Sequence, residues 1–222
     1  MFAEGLSGQI AFRIDGEIST IRVADLPGRG KSYFCEHAII AANLLINKDL
    51  RAVIFDFKGQ GSFDWLQSRF PGRVRVANIR KGVDSRARQI LEDLKEEFGK
   101  GVSWPCIVLV DEAHQGLITT SKPSNDFEKF CNDLTIMAKD ISQMGRSEKW
   151  ILVAVTLSPA KTAADIVDNS IGMFICGLVS EPELRKRIPG NPQLLLDERL
   201  TRNDYFCISY EGQSQVVKYK VW

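Results

Sequence analysis

The chain has 222 residues, of which 44% are hydrophobic and 26% charged, so it excludes a disordered protein and allows one α/β domain with a substantial core. Its formal net charge of +1 excludes a globally basic nucleic-acid binder, and its two histidines exclude a His-rich metal centre. In chain order, the first 24 residues predict a β-hairpin, with Gln9 to Ile14 and Glu17 to Ala24 flanking the turn dipeptide Asp15-Gly16. A helix is expected from Lys31 to Ile46, with Phe34, Ala38, Ala41 and Leu45 on one face. Strands are expected at Arg51 to Phe57, Val74 to Asn78, Pro105 to Val110, Trp150 to Thr156 and Ile171 to Leu178. Helices are expected at Asp84 to Phe98, Asp126 to Gln143 and Ala160 to Asp168. Tyr205 to Tyr210 and Gln215 to Val221, around Glu211-Gly212, read as an antiparallel hairpin. The alternation of short apolar strands with helices predicts an α/β fold with a mostly parallel sheet, in a single domain over residues 1–222.

Two motifs carry chemistry. The strand Ile21-Arg22-Val23-Ala24 runs into Asp25-Leu26-Pro27-Gly28-Arg29-Gly30-Lys31-Ser32, which opens a helix. In a phosphate-binding loop, glycines let backbone N–H groups point inward, the lysine meets the β- and γ-phosphates, and the hydroxyl binds Mg²⁺. Asp25 stands where the pattern has its first glycine. The second motif is Cys106-Ile107-Val108-Leu109-Val110-Asp111-Glu112, an apolar strand ending in two carboxylates. Asp111 is expected to hold Mg²⁺ through its water shell, and Glu112 to orient and polarise the attacking water. Asp56-Phe57-Lys58-Gly59-Gln60-Gly61 follows another strand, where open α/β sheets place ligands. ATP and Mg²⁺ are the expected cofactors.

Four blocks in order resemble the FtsK/HerA group of pumping ATPases: Gly28 to Ser32, Val53 to Gly59, Val108 to His114, and Met144-Gly145-Arg146-Ser147 leading to Trp150 to Pro159. The resemblance implies a RecA-like sheet, a homo-oligomeric ring (usually a hexamer), and ATP-driven movement of double-stranded DNA or, in secretion relatives, of protein. It also implies an arginine acting across a subunit boundary, here Arg146, with Arg185, Arg187 and Arg199 as competitors. Leu157 stands where the family commonly has a glutamine that senses the γ-phosphate. The minimal build looks most like the genome-packaging ATPases of membrane-containing icosahedral viruses. On that reading the ring docks to a capsid vertex or a membrane protein. The alternatives are a conjugative or cellular DNA pump, a nucleotide-binding subunit with weak or no turnover, and a protein-secretion motor.

DNA contact is expected from the basic stretch between Arg69 and Arg88, above all from Arg73, Arg75, Arg80 and Lys81, because phosphate contacts need no base-specific readout. The five cysteines, odd in number and without C-x-x-C spacing, predict reduced thiols. The start Met1-Phe2-Ala3-Glu4-Gly5 lacks signal-peptide character, and no apolar run is long enough for a transmembrane helix. A soluble protein of the cytoplasm, or of the host cytoplasm or virion if viral, is expected.

Overall fold

A computed structural model of the chain describes residues 2–4, 10–12, 18–25, 28–79, 82–101, 104–157, 172–177, 191–201, 205–210 and 213–218. The main sheet has eight strands in the order β10-β9-β8-β3-β7-β6-β4-β5. These are β3 (Thr20–Ala24), β4 (Arg51–Asp56), β5 (Val74–Asn78), β6 (Cys106–Asp111), β7 (Trp150–Thr156), β8 (Met173–Cys176), β9 (Tyr205–Tyr210) and β10 (Gln213–Lys218). From β8 through β5 every neighbouring pair is parallel. β9 joins β8 antiparallel and continues into the expected C-terminal hairpin with β10.

The N-terminal hairpin differs from the sequence expectation. β1 (Phe2–Glu4) pairs antiparallel with β2 (Ile10–Phe12) in a separate two-stranded sheet, and β3 has left it for the centre of the main sheet. All five residues of β3 are buried. Its one cation, Arg22, is 2% exposed and sits over the Phe174 ring at 5.4 Å, so a charge that reads as an outward hairpin residue is housed inside.

Strand residues alternate between two apolar layers. Ile21, Val23, Ile54, Ile107, Leu109, Val153 and Val155 pack on one side with Phe34, Ile39, Leu44 and Leu66. Val53, Phe55, Val108, Val110, Leu152 and Ala154 pack on the other with Leu91, Leu94, Phe130 and Leu134. The first layer is covered by helix α1 (residues 31–46) and by α2 (Asp64–Arg69), the second by α3 (Ser85–Gly99) and α5 (Asp126–Glu148). A one-turn helix, α4 (Ala113–Gly116), follows β6. Asp84 and Asn125 cap α3 and α5 with side-chain oxygens that accept from Ala87 N–H and Glu128 N–H.

Helix α1 is α-helical over Lys31–Phe34, π-helical over Cys35–Ala41 and α-helical again over Ala42–Ile46. In the π segment the hydrogen bonds run i→i+5 and the turn is wider than 3.6 residues, which shifts the buried face to Phe34, Cys35, Ile39, Ile40 and Leu44. Leu45, expected on the buried face, is 65% exposed. Helix α5 runs past its expected end at Gln143 and contains Gly145 and Arg146 in its last turn. The expected helix at 160–168 lies outside the described residues. All five cysteines are buried and free, as expected. Among the described residues no helix is long and apolar enough to cross a membrane.

Candidate nucleotide site

Parallel strands leave their carboxyl ends along one edge of the sheet, and the two motifs meet there. β3 sits next to β7, which sits next to β6, so the phosphate loop and the acidic strand end are separated by a single strand. Gly28 and Gly30 have φ values of 75° and 81°, left-handed conformations that let the loop turn sharply into α1. Lys31 is 7% exposed, and its Nζ donates to the Asp25 carbonyl at 2.7 Å, folding the side chain back over the loop. Burial lowers its pKa, while Asp25, Glu112 and Asp111 act in the opposite direction.

Ser32 Oγ donates to Asp111 Oδ2 at 3.2 Å, which joins the helix start to the acidic strand. Asp111 is 2% exposed, and its pKa is raised from 3.8 to about 6 by burial, then by Asp56 and Glu112. The Ser32 hydrogen bond and Lys58 oppose that rise. The next residue, Glu112, has φ 55° and ψ 47°, a left-handed backbone that is uncommon for a glutamate. Its N–H donates to Asp111 Oδ1 at 3.1 Å, and its Oε2 lies 3.3 Å from His114 Nε2. The Gly116 Cα packs on Phe57, where an added Cβ would lie 2.2 Å from Cε2, so α4 is seated close under the neighbouring strand end. The strained turn thereby holds Glu112 beside Asp111 at the mouth of the loop.

Asp25, which replaces the first glycine of the pattern, keeps its side chain out of solvent. Arg29 Nε lies 3.8 Å from Asp25 Oδ1, and a Cβ added at Gly177 would stand 2.1 Å from Asp25 Oδ2. The carboxylate thus packs against the end of β8. Arg29 also donates to the Thr201 carbonyl at 2.6 Å and the Leu200 carbonyl at 2.7 Å. This bracing of the loop by the 3-10 turn Glu198–Thr201 was not read from the sequence, because nothing local marks a backbone carbonyl as an arginine partner. Leu26 and Pro27 lie outside the described residues.

Glu36, one turn beyond Ser32 on α1, faces the same acids. Trp65 Nε1 donates to its Oε2 at 3.0 Å, and burial followed by Asp111 and Asp56 raises its pKa against the Trp65 bond. Outside it, His37 stacks on Trp65 with centroids 5.0 Å apart. The donor set of hydroxyl and carboxylate oxygens suits a hard, hydrated cation, and Mg²⁺ fits it through Ser32 and Asp111.

The other predicted residues are placed elsewhere. Arg146 is exposed in the last turn of α5, beside the start of β7. Seven residues of β7 separate that end from the loop, about 20 Å at strand rise, so Arg146 does not reach its own chain's phosphate site. Arg199 forms a fork with Asp197, and Arg185 and Arg187 lie outside the described residues. Leu157 follows β7 at this same edge, half-buried.

Arg73 and Arg75, expected to contact DNA, are engaged within the chain. Arg73 donates to the carbonyls of Leu44, Asn47 and Leu50, closing the C-terminal end of α1. Arg75 bridges Asp93 at 3.4 Å and Glu97 at 2.7 Å on α3. Both have structural tasks that account for their charge. Arg80 and Lys81 lie outside the described residues.

No protein-family model and no curated protein matches the sequence. Solved structures do resemble it. The conjugation coupling protein TcpA of pCW3, in a monomer form with ATPγS, superposes with a TM-score of 0.72 at 15% identity, over 98% of this chain and 64% of that one. The DNA-packaging ATPase B204 of Sulfolobus turreted icosahedral virus gives 0.62 at 17% identity, over 91% of this chain and 98% of that one. The type VII secretion ATPase EccC of Thermomonospora curvata gives 0.59 at 13% identity, with this chain spanning 25% of its length. These likenesses are of fold, and the mostly parallel sheet flanked by helices that the sequence predicts is present. The chain therefore shares its fold with the coupling protein TcpA, the packaging ATPase B204 and the secretion ATPase EccC.

Proposed function

We propose that this chain is the ATP-hydrolysing subunit of a hexameric ring motor that translocates double-stranded DNA and packages a viral genome. The observation that carries the ATPase reading is the Ser32–Asp111 hydrogen bond at 3.2 Å, which links loop and acidic strand. Lys31 would leave the Asp25 carbonyl for the β- and γ-phosphates, and the loop N–H groups would surround them. Mg²⁺ held at Ser32 and Asp111 would neutralise charge on the phosphates as the bond to the leaving group breaks. Glu112 would hold the attacking water by accepting its hydrogen bond, in a site that excludes bulk solvent.

The packaging assignment is supported by extent: B204 is matched over nearly its whole length. A conjugative pump is the second reading, supported by the higher TM-score of TcpA. Hydrolysis of ATP should require Mg²⁺ and rise with double-stranded DNA. Glu112→Gln should retain ATP binding and lose turnover by two or more orders of magnitude, on the scale of general-base loss. Undiminished hydrolysis in Glu112→Gln sinks the catalytic assignment, and stimulation by a protein substrate but not DNA moves the chain to secretion. Association with a capsid-vertex protein favours packaging; association with a relaxase complex favours conjugation.

A further inference from the structure

Asp56 ends β4, in register with Asp111 at the end of the adjacent parallel strand. Alternation along β4 and β6 sends Ile54 and Leu109 to the side covered by α1, and Asp56 and Asp111 two residues later to that same side. The two carboxylates are therefore neighbours beneath the first turns of α1, where Ser32 and Glu36 lie.

Asp56 is 1% exposed. Gly59 N–H donates to its Oδ1 at 2.8 Å, and this bond fixes the carboxylate plane. Gly59 adopts φ 58°, which shapes the turn that delivers the bond. The second oxygen, Oδ2, is buried and has no hydrogen-bond partner among the described residues. A buried carboxylate oxygen without a donor is costly, and such atoms mark a ligand or an ordered water. Nearby charge does not relieve it. Lys58, on the same turn, forms no ion pair with Asp56 among the described residues, Asp64 adds like charge, and the backbone N–H groups of Lys58, Gly59 and Gly61 only partly offset the cost of burial. A water carried in by a hydrated cation would supply the missing donor.

We propose that Asp56 is a second aspartate of the metal site, a positioning residue whose Oδ2 accepts a hydrogen bond from a water in the Mg²⁺ shell. Asp111 and Ser32 hold the ion from the β6 and α1 sides. Asp56 holds the shell from β4 and thereby fixes the orientation of the waters next to the phosphates. This inference rests on the nucleotide site proposed above.

The test is binding, without turnover. Affinity for a fluorescent, non-hydrolysable ATP analogue is measured in chelator and across an Mg²⁺ titration, for the parent chain and for Asp56→Asn. The amide keeps the shape and the Gly59 bond but offers the shell no anionic acceptor. Affinity in chelator should stay within about twofold, and the Mg²⁺ concentration for half-saturation should rise about tenfold, the scale of an outer-shell partner. Thermal melting checks that the variant is folded, and Asp56→Ser replaces it if it is not. An unchanged Mg²⁺ midpoint in a folded variant overturns the inference and leaves the nucleotide site standing. Equal loss of affinity with and without Mg²⁺ also overturns it, since Asp56 would then shape the loop and not the ion's surroundings. A parent chain that binds no nucleotide at any Mg²⁺ concentration overturns the site and the inference together.

Discussion

The surroundings of Asp111 disfavour its charge. Its folded pKa is raised from 3.8 to about 6, chiefly by burial and then by Asp56 and Glu112. A carboxyl raised in the folded state binds its proton more tightly there than in the unfolded chain. Stability therefore falls as pH rises between those two values, and the penalty is complete above the upper one. Two pKa steps amount to about 3 kcal/mol as an order of magnitude. Asp111→Asn should accordingly raise the melting temperature of the nucleotide-free protein at neutral pH, and the gain should shrink toward about pH 4, where the parent is protonated as well. A gain of the same size at both pH values would show that the strain is steric. The same substitution should abolish Mg²⁺-dependent turnover, the usual exchange between stability and activity at a site that awaits a cation. The roles of Lys31, Ser32 and Asp111 were readable because their spacing repeats a known chemical need. The part played by Asp56 was not, because its meaning lies in a register with another strand and in an oxygen left without a donor.

At the scale of elements, the approach of α5 to β7 depends on one missing side chain. A Cβ at Gly145 would lie 2.4 Å from the Trp150 carbonyl oxygen, a backbone atom that cannot swing aside. The chain reverses here through Lys149, at φ 59°, whose N–H donates to the Arg146 carbonyl. Ser19 Oγ donates to the Ser142 carbonyl at 2.9 Å and fastens the same helix end to the lead-in of β3. Gly145→Ala should cost about 2–3 kcal/mol, seen as a lower urea midpoint, with the helix end displaced. A neutral effect would mean that the helix can lift from β7 freely. The glycine of the Gly-Arg segment is thus explained by packing alone. Strands β4 to β7 were legible because they are apolar runs of strand length. Two features were not. Asp15-Gly16 looks like a hairpin turn, yet β3 belongs in the centre, and Arg22 disguised that burial until Phe174 supplied a ring to sit on. The π segment of α1 leaves no mark in a pattern read at 3.6 residues per turn, so Leu45 was assigned to the wrong face.

For the whole molecule, the placement of Arg146 bears on assembly. It is exposed, stands at the end of the sheet away from its own phosphate loop, and forms no ion pair with a described residue. If it serves a neighbouring subunit's site, Arg146→Ala should leave ATP affinity within about twofold while lowering turnover about a thousandfold or more, the scale of a trans arginine. Mixing it with a chain that binds ATP but cannot hydrolyse it, Glu112→Gln, should restore part of the activity, because some junctions then pair an intact Glu112 with an intact Arg146. Absence of recovery in mixed assemblies that are shown to form would assign the arginine to another position. The basic stretch from Arg69 onward shows the opposite limit of sequence reading. Its composition suggested a DNA-facing surface, yet Arg73 and Arg75 spend their charge on carbonyls and acids of their own chain.

The contact between Asp25 and Gly177 carries a consequence for what each position tolerates. With glycine at the loop's first position, the end of β8 has room for a side chain; with aspartate, the carboxylate occupies that room, and a larger residue at 177 has to turn the Asp25 side chain out of it. The departure at Asp25, which looks like a defect when the motif is compared letter by letter, is matched in space by the absent side chain at Gly177, so the two positions form one packing unit across the sheet end.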